Sequence, residues 1–160
     1  MISNSTFAIL LGGELEIDDR VLALMQGARV IAADGGMRHA QALGVLPEVW
    51  VGDFDSMPTG LSEFLAATPR MPFPAEKNLT DGELAIEEAI ERGATRLVLI
   101  GSFGGKRTDH ALSHLLQAVT LAERGFDVVL SSGLEEAVPL LPGTRELDLP
   151  ERSLFSVVAF

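Results

Sequence analysis

Cysteine is absent from the 160 residues, which excludes a disulfide framework and any zinc site built on thiolates. The absence also suits a reducing compartment. Basic residues are few: 12 Lys and Arg stand against 23 Asp and Glu, a net charge of −11. A broad nucleic-acid-binding surface needs clustered Lys and Arg, so no nucleic-acid partner is expected. A small phosphorylated ligand stays open, because grouped carboxylates hold cations and those cations hold phosphate. No apolar run approaches the roughly 18 residues that a membrane span requires. The N-terminus lacks the basic segment of a signal peptide, and Glu14, Glu16, Asp18 and Asp19 soon follow. The expectation is a cytoplasmic protein with no membrane partner.

What is present is apolar sequence, 47% of the chain, ample for a packed core. The length fits one domain, or one domain and a fragment. Thr6 to Leu11 is a continuous apolar run ending at Gly12-Gly13, the pattern of a strand buried on both faces in a parallel sheet. Strands are also expected over 29–33, 46–51, 96–100 and 127–131, with a short extended piece over 71–74. Helices are expected between them: 18–27, 37–43 closed by Gly44, 61–67, a helix from Thr80 to about Arg92, and a long one from about Thr108 to Arg124. Thr80 and Glu83 make a capping box. Leu112, Leu115, Leu116 and Val119 are expected as the core stripe of the long helix. Alternating strands and helices give an α/β fold, an open and mostly parallel Rossmann-like sheet flanked by helices. The pattern changes near Leu134. Residues 138–141, 145–149 and 153–160 read as short strands without helices between them. The expected organisation is a catalytic α/β domain over 1–133 and the incomplete start of an antiparallel β-domain over 134–160.

The chemistry is expected around Gly52-Asp53-Phe54-Asp55-Ser56, at the end of a buried strand. In an extended segment Asp53 and Asp55 project to the same side. Converging carboxylates repel unless a cation, a shared proton or a basic partner relieves them. Mg²⁺ is the natural relief, since it takes oxygen ligands and keeps room for substrate phosphates. Taken alone, the stretch reads more simply as an acidic loop of ordinary turn residues. Other polar clusters also follow predicted strands: Gly12-Gly13, Asp34-Gly35-Gly36 and the loop Gly101 to Arg107. Asp81 stands at a helix start. Ligands of open α/β sheets bind beyond the carboxyl ends of the strands, so clusters sharing that edge favour a metal-and-phosphate site. Individually, Asp34 fits a turn and Asp81 fits the dipole of a first helical turn. The loop Gly104-Gly105-Lys106-Arg107 lacks the Ser or Thr of a Walker A sequence. Backbone amides beside Lys106 and Arg107 still make a phosphate site. His110 and His114 lack the glutamate of a zincin pattern. Trp50 reads as core, and Asp109 either pairs with Arg107 or meets a substrate.

The ordered set Ala33-Asp34-Gly35-Gly36, Gly52-Asp53-Phe54-Asp55-Ser56, Thr80-Asp81 and Gly104-Gly105-Lys106-Arg107-Thr108-Asp109-His110 resembles the thiamine pyrophosphokinase family. The tail, including Ser153-Leu154-Phe155-Ser156, resembles the entry to that family's C-terminal thiamine-binding β-domain. One departure is Asn78, where the family often carries an acid. The resemblance implies transfer of diphosphate from ATP to the hydroxyl of thiamine with release of AMP, in a homodimer. It implies Mg²⁺ held by Asp34, Asp53, Asp55 and Asp81, with Asp53, Asp55 and Arg107 catalytic. Gly12, Gly13, Gly35, Gly36, Ser56, Thr80, Gly104, Gly105, Lys106 and Arg107 are implied to bind nucleotide and phosphate, and Asp109 and His110 substrate. Competing expectations are a diphosphokinase acting on another alcohol, such as a hydroxymethylpterin, and a nucleotide-binding module without turnover. An aspartate-nucleophile phosphatase would place its Asp-x-Asp on an early strand; here two strand–helix units precede it.

Overall fold

In the computed structural model, residues 5–54, 57–73 and 78–160 are described. The elements run β1 (Thr6–Leu10), α1 (Asp19–Met25), β2 (Arg29–Ala33), a 3-10 turn (Asp34–Gly36), α2 (Met37–Leu43), β3 (Val49–Gly52), α3 (Glu63–Ala66) and β4 (Arg70–Pro72). They continue through α4 (Asp81–Glu91), β5 (Arg96–Ile100), α5 (Thr108–Glu123), β6 (Asp127–Ser131) and β7 (Glu136–Ala137). The strands form one sheet in the order β4-β3-β2-β1-β5-β6-β7. All neighbours are parallel except β6 and β7.

Alternation of side chains explains why the strands read as unbroken apolar runs. Phe7, Ile9 and Leu11 face one layer with Leu84, Ala85, Ile86 and Ala89 of α4 and Ala118 and Leu121 of α5. Ala8 and Leu10 face the other, with Val21 and Met25 of α1, Met37, Ala40 and Leu43 of α2, and Leu65 of α3. β1 lies between β2 and β5, so the strand order reverses there, and the loops leaving β1 and β5 open the crevice where such folds take ligands. Local signals set the helix ends. Asp18 Oδ1 accepts from the Val21 amide at 2.8 Å. Both bonds of the expected capping box form, Glu83 N–H to Thr80 Oγ1 at 3.2 Å and Thr80 N–H to Glu83 Oε2 at 2.7 Å. Gly44 closes α2 in the left-handed region, φ 66°. Among the described residues no helix is long and apolar enough to cross a membrane.

Two expectations are corrected. The buried face of α5 is carried by Ala118 and Leu121, with Leu115 of the expected stripe partly buried against the same core, whereas Leu112 and Leu116 are 48% and 44% exposed. The helix is turned relative to the expected leucine stripe because small Ala118 permits close approach to the sheet and His114 reaches inward to Ser102. Leu121→Ala is therefore expected to destabilise by about 2–4 kcal/mol, and Leu112→Ala by less than about 1 kcal/mol, in urea unfolding. The three strands expected over 138–141, 145–149 and 153–160 do not form. A strand needs a ladder partner. Only Glu136–Ala137 finds one, opposite Leu130 and Ser131, so the antiparallel element is a short extension of the main sheet past residue 133. Arg20 ties β7 to α1 through a two-nitrogen contact with Glu136 at 2.9 and 3.2 Å.

Candidate active site at the carboxyl edge of the sheet

The turn after β2 is shaped by what lies beneath it. A Cβ on Gly36 would sit 2.0 Å from the carbonyl oxygen of Leu10, so the turn packs onto the end of β1 only because residue 36 has no side chain. Asp34 takes φ 42°, a left-handed conformation that Asp tolerates better than most residues. Trp50 is buried, as expected, and its Nε1–H donates to the Asp34 carbonyl at 2.9 Å. Gly52 lets β3 end against Asp34: a Cβ there would lie 3.4 Å from the Asp34 Cα. Asp34 and Asp53 are thereby set side by side at adjacent strand ends.

Phe54 also has positive φ, 60°, an outlier for a bulky side chain. The chain after β3 is therefore not extended at Phe54 itself, while the expectation that Asp53 and Asp55 point together falls on a residue that is not described. Asp55 and Ser56 themselves lie outside the described residues. The Phe54 ring meets Trp50 edge-on at 5.2 Å, and the Arg70 guanidinium stands over both rings at 5.4 and 5.5 Å. These contacts hold the unusual backbone in place.

Asp81 opens α4, half-buried. Burial raises its pKa above the usual carboxylate range, the charges of Asp34 and Asp53 raise it further, and His110 acts in the opposite direction. The α4 dipole also favours a charged Asp81, so burial and the two neighbouring carboxylates outweigh it. The charges of Asp34 and Asp53 thus reach Asp81, and a divalent ion bound among carboxylates would relieve such mutual repulsion. Among the described residues no group of three or more His, Asp or Glu side chains is close enough to hold an ion by itself. Because ionised Asp81 is disfavoured in the fold, its contribution to stability falls as pH rises through the carboxylate range. Asp81→Asn is expected to flatten that slope and to raise the metal-free Tm at pH 7. Solvent screening keeps the gain below about 1 kcal/mol, or up to about 3 °C, in calorimetry.

The loop after β5 packs against the loop after β1. Gly13 N–H donates to the Gly101 carbonyl at 2.9 Å and Glu14 N–H to that of Phe103 at 2.9 Å. A Cβ on Gly13 would stand 2.3 and 2.4 Å from those two oxygens. Gly13 thus serves contact between the loops, while Gly12 has open space above it. Gly104 and Gly105 take φ 69° and 80°, turning the chain into α5 with Lys106 and Arg107 exposed. Arg107 Nε and Nη2 donate to Asp109 at 2.9 and 2.7 Å. The guanidinium holds the Asp109 carboxyl well below its usual range. The Arg107–Asp109 ion pair, one of the two alternatives left open by the sequence, forms. His114 Nδ1–H donates to the Ser102 carbonyl at 3.1 Å. Burial lowers its pKa, against that bond, so it is a neutral brace between α5 and the loop. His110 is exposed, its ring centroid 6.5 Å from that of His114.

Two residues of this edge escape the sequence reading. His39 is 9% exposed, and its Nε2–H donates to the Gly13 carbonyl at 2.9 Å. Burial lowers its pKa, with a smaller push from Arg38, against the Gly13 bond. Arg38 Nη2 donates to the carbonyls of Gly12 at 2.8 Å and Gly13 at 2.7 Å. The available signal is the pair Arg38-His39, one residue beyond the Asp34-Gly35-Gly36 turn.

The sequence pattern described as "Thiamin pyrophosphokinase, catalytic domain" matches residues 22–130. No match was found among curated proteins. The crystal structure of thiamine pyrophosphokinase from Bacillus subtilis is similar over 81% of this chain and 61% of its own, at 26% identity and a TM-score of 0.66. A thiamin pyrophosphokinase family protein from Enterococcus faecalis gives 27% identity and a TM-score of 0.59 over the same shares. Yeast thiamin pyrophosphokinase, at 14% identity and a TM-score of 0.60, shares the fold over 81% of this chain and 59% of its own. The chain thus spans about 61% of the length of the two bacterial structures. With residues 22–130 matching the catalytic-domain pattern, on a mostly parallel sheet similar to that of the Bacillus subtilis enzyme, the chain belongs to the thiamin pyrophosphokinase family.

Proposed function

We propose that the protein acts as a thiamine pyrophosphokinase, transferring diphosphate from ATP to the thiamine hydroxyl. The observation that carries this reading is the convergence of Asp34, Asp53 and Asp81, felt as the combined push of burial and two neighbouring charges on Asp81. Asp34, Asp53, Asp55 and Asp81 would hold Mg²⁺, which when bound supplies neutralising charge to the triphosphate. In the reaction, the hydroxyl oxygen of thiamine forms a bond to the β-phosphorus. The bond from that phosphorus to the oxygen bridging the α- and β-phosphates breaks, and AMP leaves with that oxygen. The hydroxyl proton passes to a carboxylate, Asp53 or Asp55. Lys106 and Arg107 stabilise phosphate charge, the latter through its Nη1 group while Asp109 fixes the plane of the guanidinium. His110, whose charge opposes the rise at Asp81, lines the same pocket. Gly12, Gly35, Gly104 and Gly105 let phosphate approach main chain.

Thiamine itself is expected between this domain and a β-domain of a second subunit in a homodimer. The exposure of Leu154, Phe155, Val157, Val158 and Phe160 supports a packing partner for the tail, since contiguous exposed apolar surface marks interaction sites. The test is product analysis with ATP, Mg²⁺ and alternative acceptors. Equal amounts of AMP and thiamine diphosphate, formed only with thiamine, are expected. AMP formed with a hydroxymethylpterin instead would reassign the acceptor, and orthophosphate in place of AMP would overturn the diphosphotransfer reading.

A further inference from the structure

We infer that Arg38 binds the polyphosphate of the nucleotide donor, an inference that rests on the nucleotide reading of this edge. Most guanidiniums of the fold are neutralised by carboxylates, as Arg20 is by Glu136 and Arg29 by Glu48. Arg38 is held differently. A single nitrogen, Nη2, satisfies two main-chain carbonyls, Gly12 at 2.8 Å and Gly13 at 2.7 Å, and among the described residues no carboxylate pairs with it. Those carbonyls fix the position of the charge without cancelling it. The planar fork then has Nη1 and Nε left for another acceptor.

The space beside it is open. Among the described residues nothing lies within 4 Å of a Cβ built on Gly12, and one built on Gly35 meets Arg38 Nη1, at 3.7 Å. The guanidinium thus borders a gap between two side-chain-free positions, at the carboxyl ends of β1 and β2. Gly35 is also the neighbour of Asp34. A fixed cation next to a metal-type carboxylate is the pairing that a metal-complexed polyphosphate requires: acid for the metal, guanidinium for the remaining phosphate oxygens. His39 supports the arrangement from below. Its bond to the same Gly13 carbonyl and its position 3.2 Å from a Cβ built on Gly101 hold the loop on which Arg38 rests.

The test is calorimetric binding of Mg²⁺-ATP, inorganic tripolyphosphate and adenosine to the full chain and to Arg38→Lys, Arg38→Gln and Arg38→Met. Glutamine retains a donor for the carbonyls without the charge; lysine retains the charge. The expected result is an affinity for Mg²⁺-ATP and tripolyphosphate about tenfold weaker in both the Gln and Met variants, partial recovery with Lys, and unchanged adenosine binding. Parent-like polyphosphate affinity in Arg38→Gln would overturn the inference, leaving only a structural clamp. Equal losses for adenosine and ATP would also overturn it. Assaying thiamine-dependent AMP on the parent chain separates this inference from the reading beneath it. Charge-dependent tripolyphosphate binding without AMP sustains Arg38 and removes the kinase. AMP formation with Arg38→Met binding ATP like the parent does the reverse.

Discussion

Asp53→Asn is expected to lower thiamine-dependent AMP formation by about 10²–10³-fold, the range seen when one group stabilising transition-state charge is removed. The fold should hardly notice. Asp53 is exposed just past the end of β3, and its amide isostere keeps shape and hydrogen-bonding capacity while removing the charge. The pocket bears the loss of charge, since Asp53 is one of the two carboxylates whose charges raise the pKa of Asp81. Steady-state kinetics beside a thermal melt checks both halves: a collapse in kcat with Tm within a few degrees of the parent. A small kinetic effect would place the metal and the proton acceptor elsewhere.

Gly36→Ala is expected to have a large effect on stability. The backbone at Gly36 is ordinary right-handed helix, φ −61°, so alanine meets no conformational penalty there. The penalty is steric. The new methyl would stand 2.0 Å from the Leu10 oxygen and 2.4 Å from its carbon, both main-chain atoms of a central strand that cannot swing aside. Overpacking of a tight site ordinarily costs about 1–3 kcal/mol, more where backbone must move, and the upper end is expected here. Gly12→Ala, with nothing within 4 Å, is the control and should unfold in urea like the parent. If both variants melt alike, the close approach of the Asp34–Gly36 turn to β1 is not what holds Asp34 in place.

Much of this architecture is legible in the sequence because the central strands are buried on both sides. Unbroken apolar runs bounded by Gly, Asp or Arg define β2, β5 and β6 to the residue, and the capping box at Thr80 fixes the start of α4. The approach of the acids to one edge follows from topology, since each follows a strand of a parallel sheet or starts a helix. Other features depend on contacts that no local pattern encodes. The orientation of α5 is decided by Ala118, small enough to approach the sheet, and by His114 reaching Ser102, so hydrophobic Leu112 and Leu116 are left outside. The backbone at Phe54 departs from extended geometry against the Trp50 ring, a tertiary contact. The apolar segments over 138–160 have strand composition but no ladder partner beyond β7. Arg38 and His39 look like ordinary residues of a short helix until the carbonyls of Gly12 and Gly13 are placed beside them.

The central claim is that acids from separate elements act as one metal–nucleotide site. The most direct measurement is ATP binding by calorimetry, with Mg²⁺ and with chelator, for the parent and for Asp34→Asn, Asp53→Asn and Asp81→Asn. A shared site predicts that Mg²⁺ strengthens ATP binding in the parent and that each substitution removes most of that gain. ATP affinity indifferent to Mg²⁺, or a Mg²⁺ effect that survives all three substitutions, would contradict it.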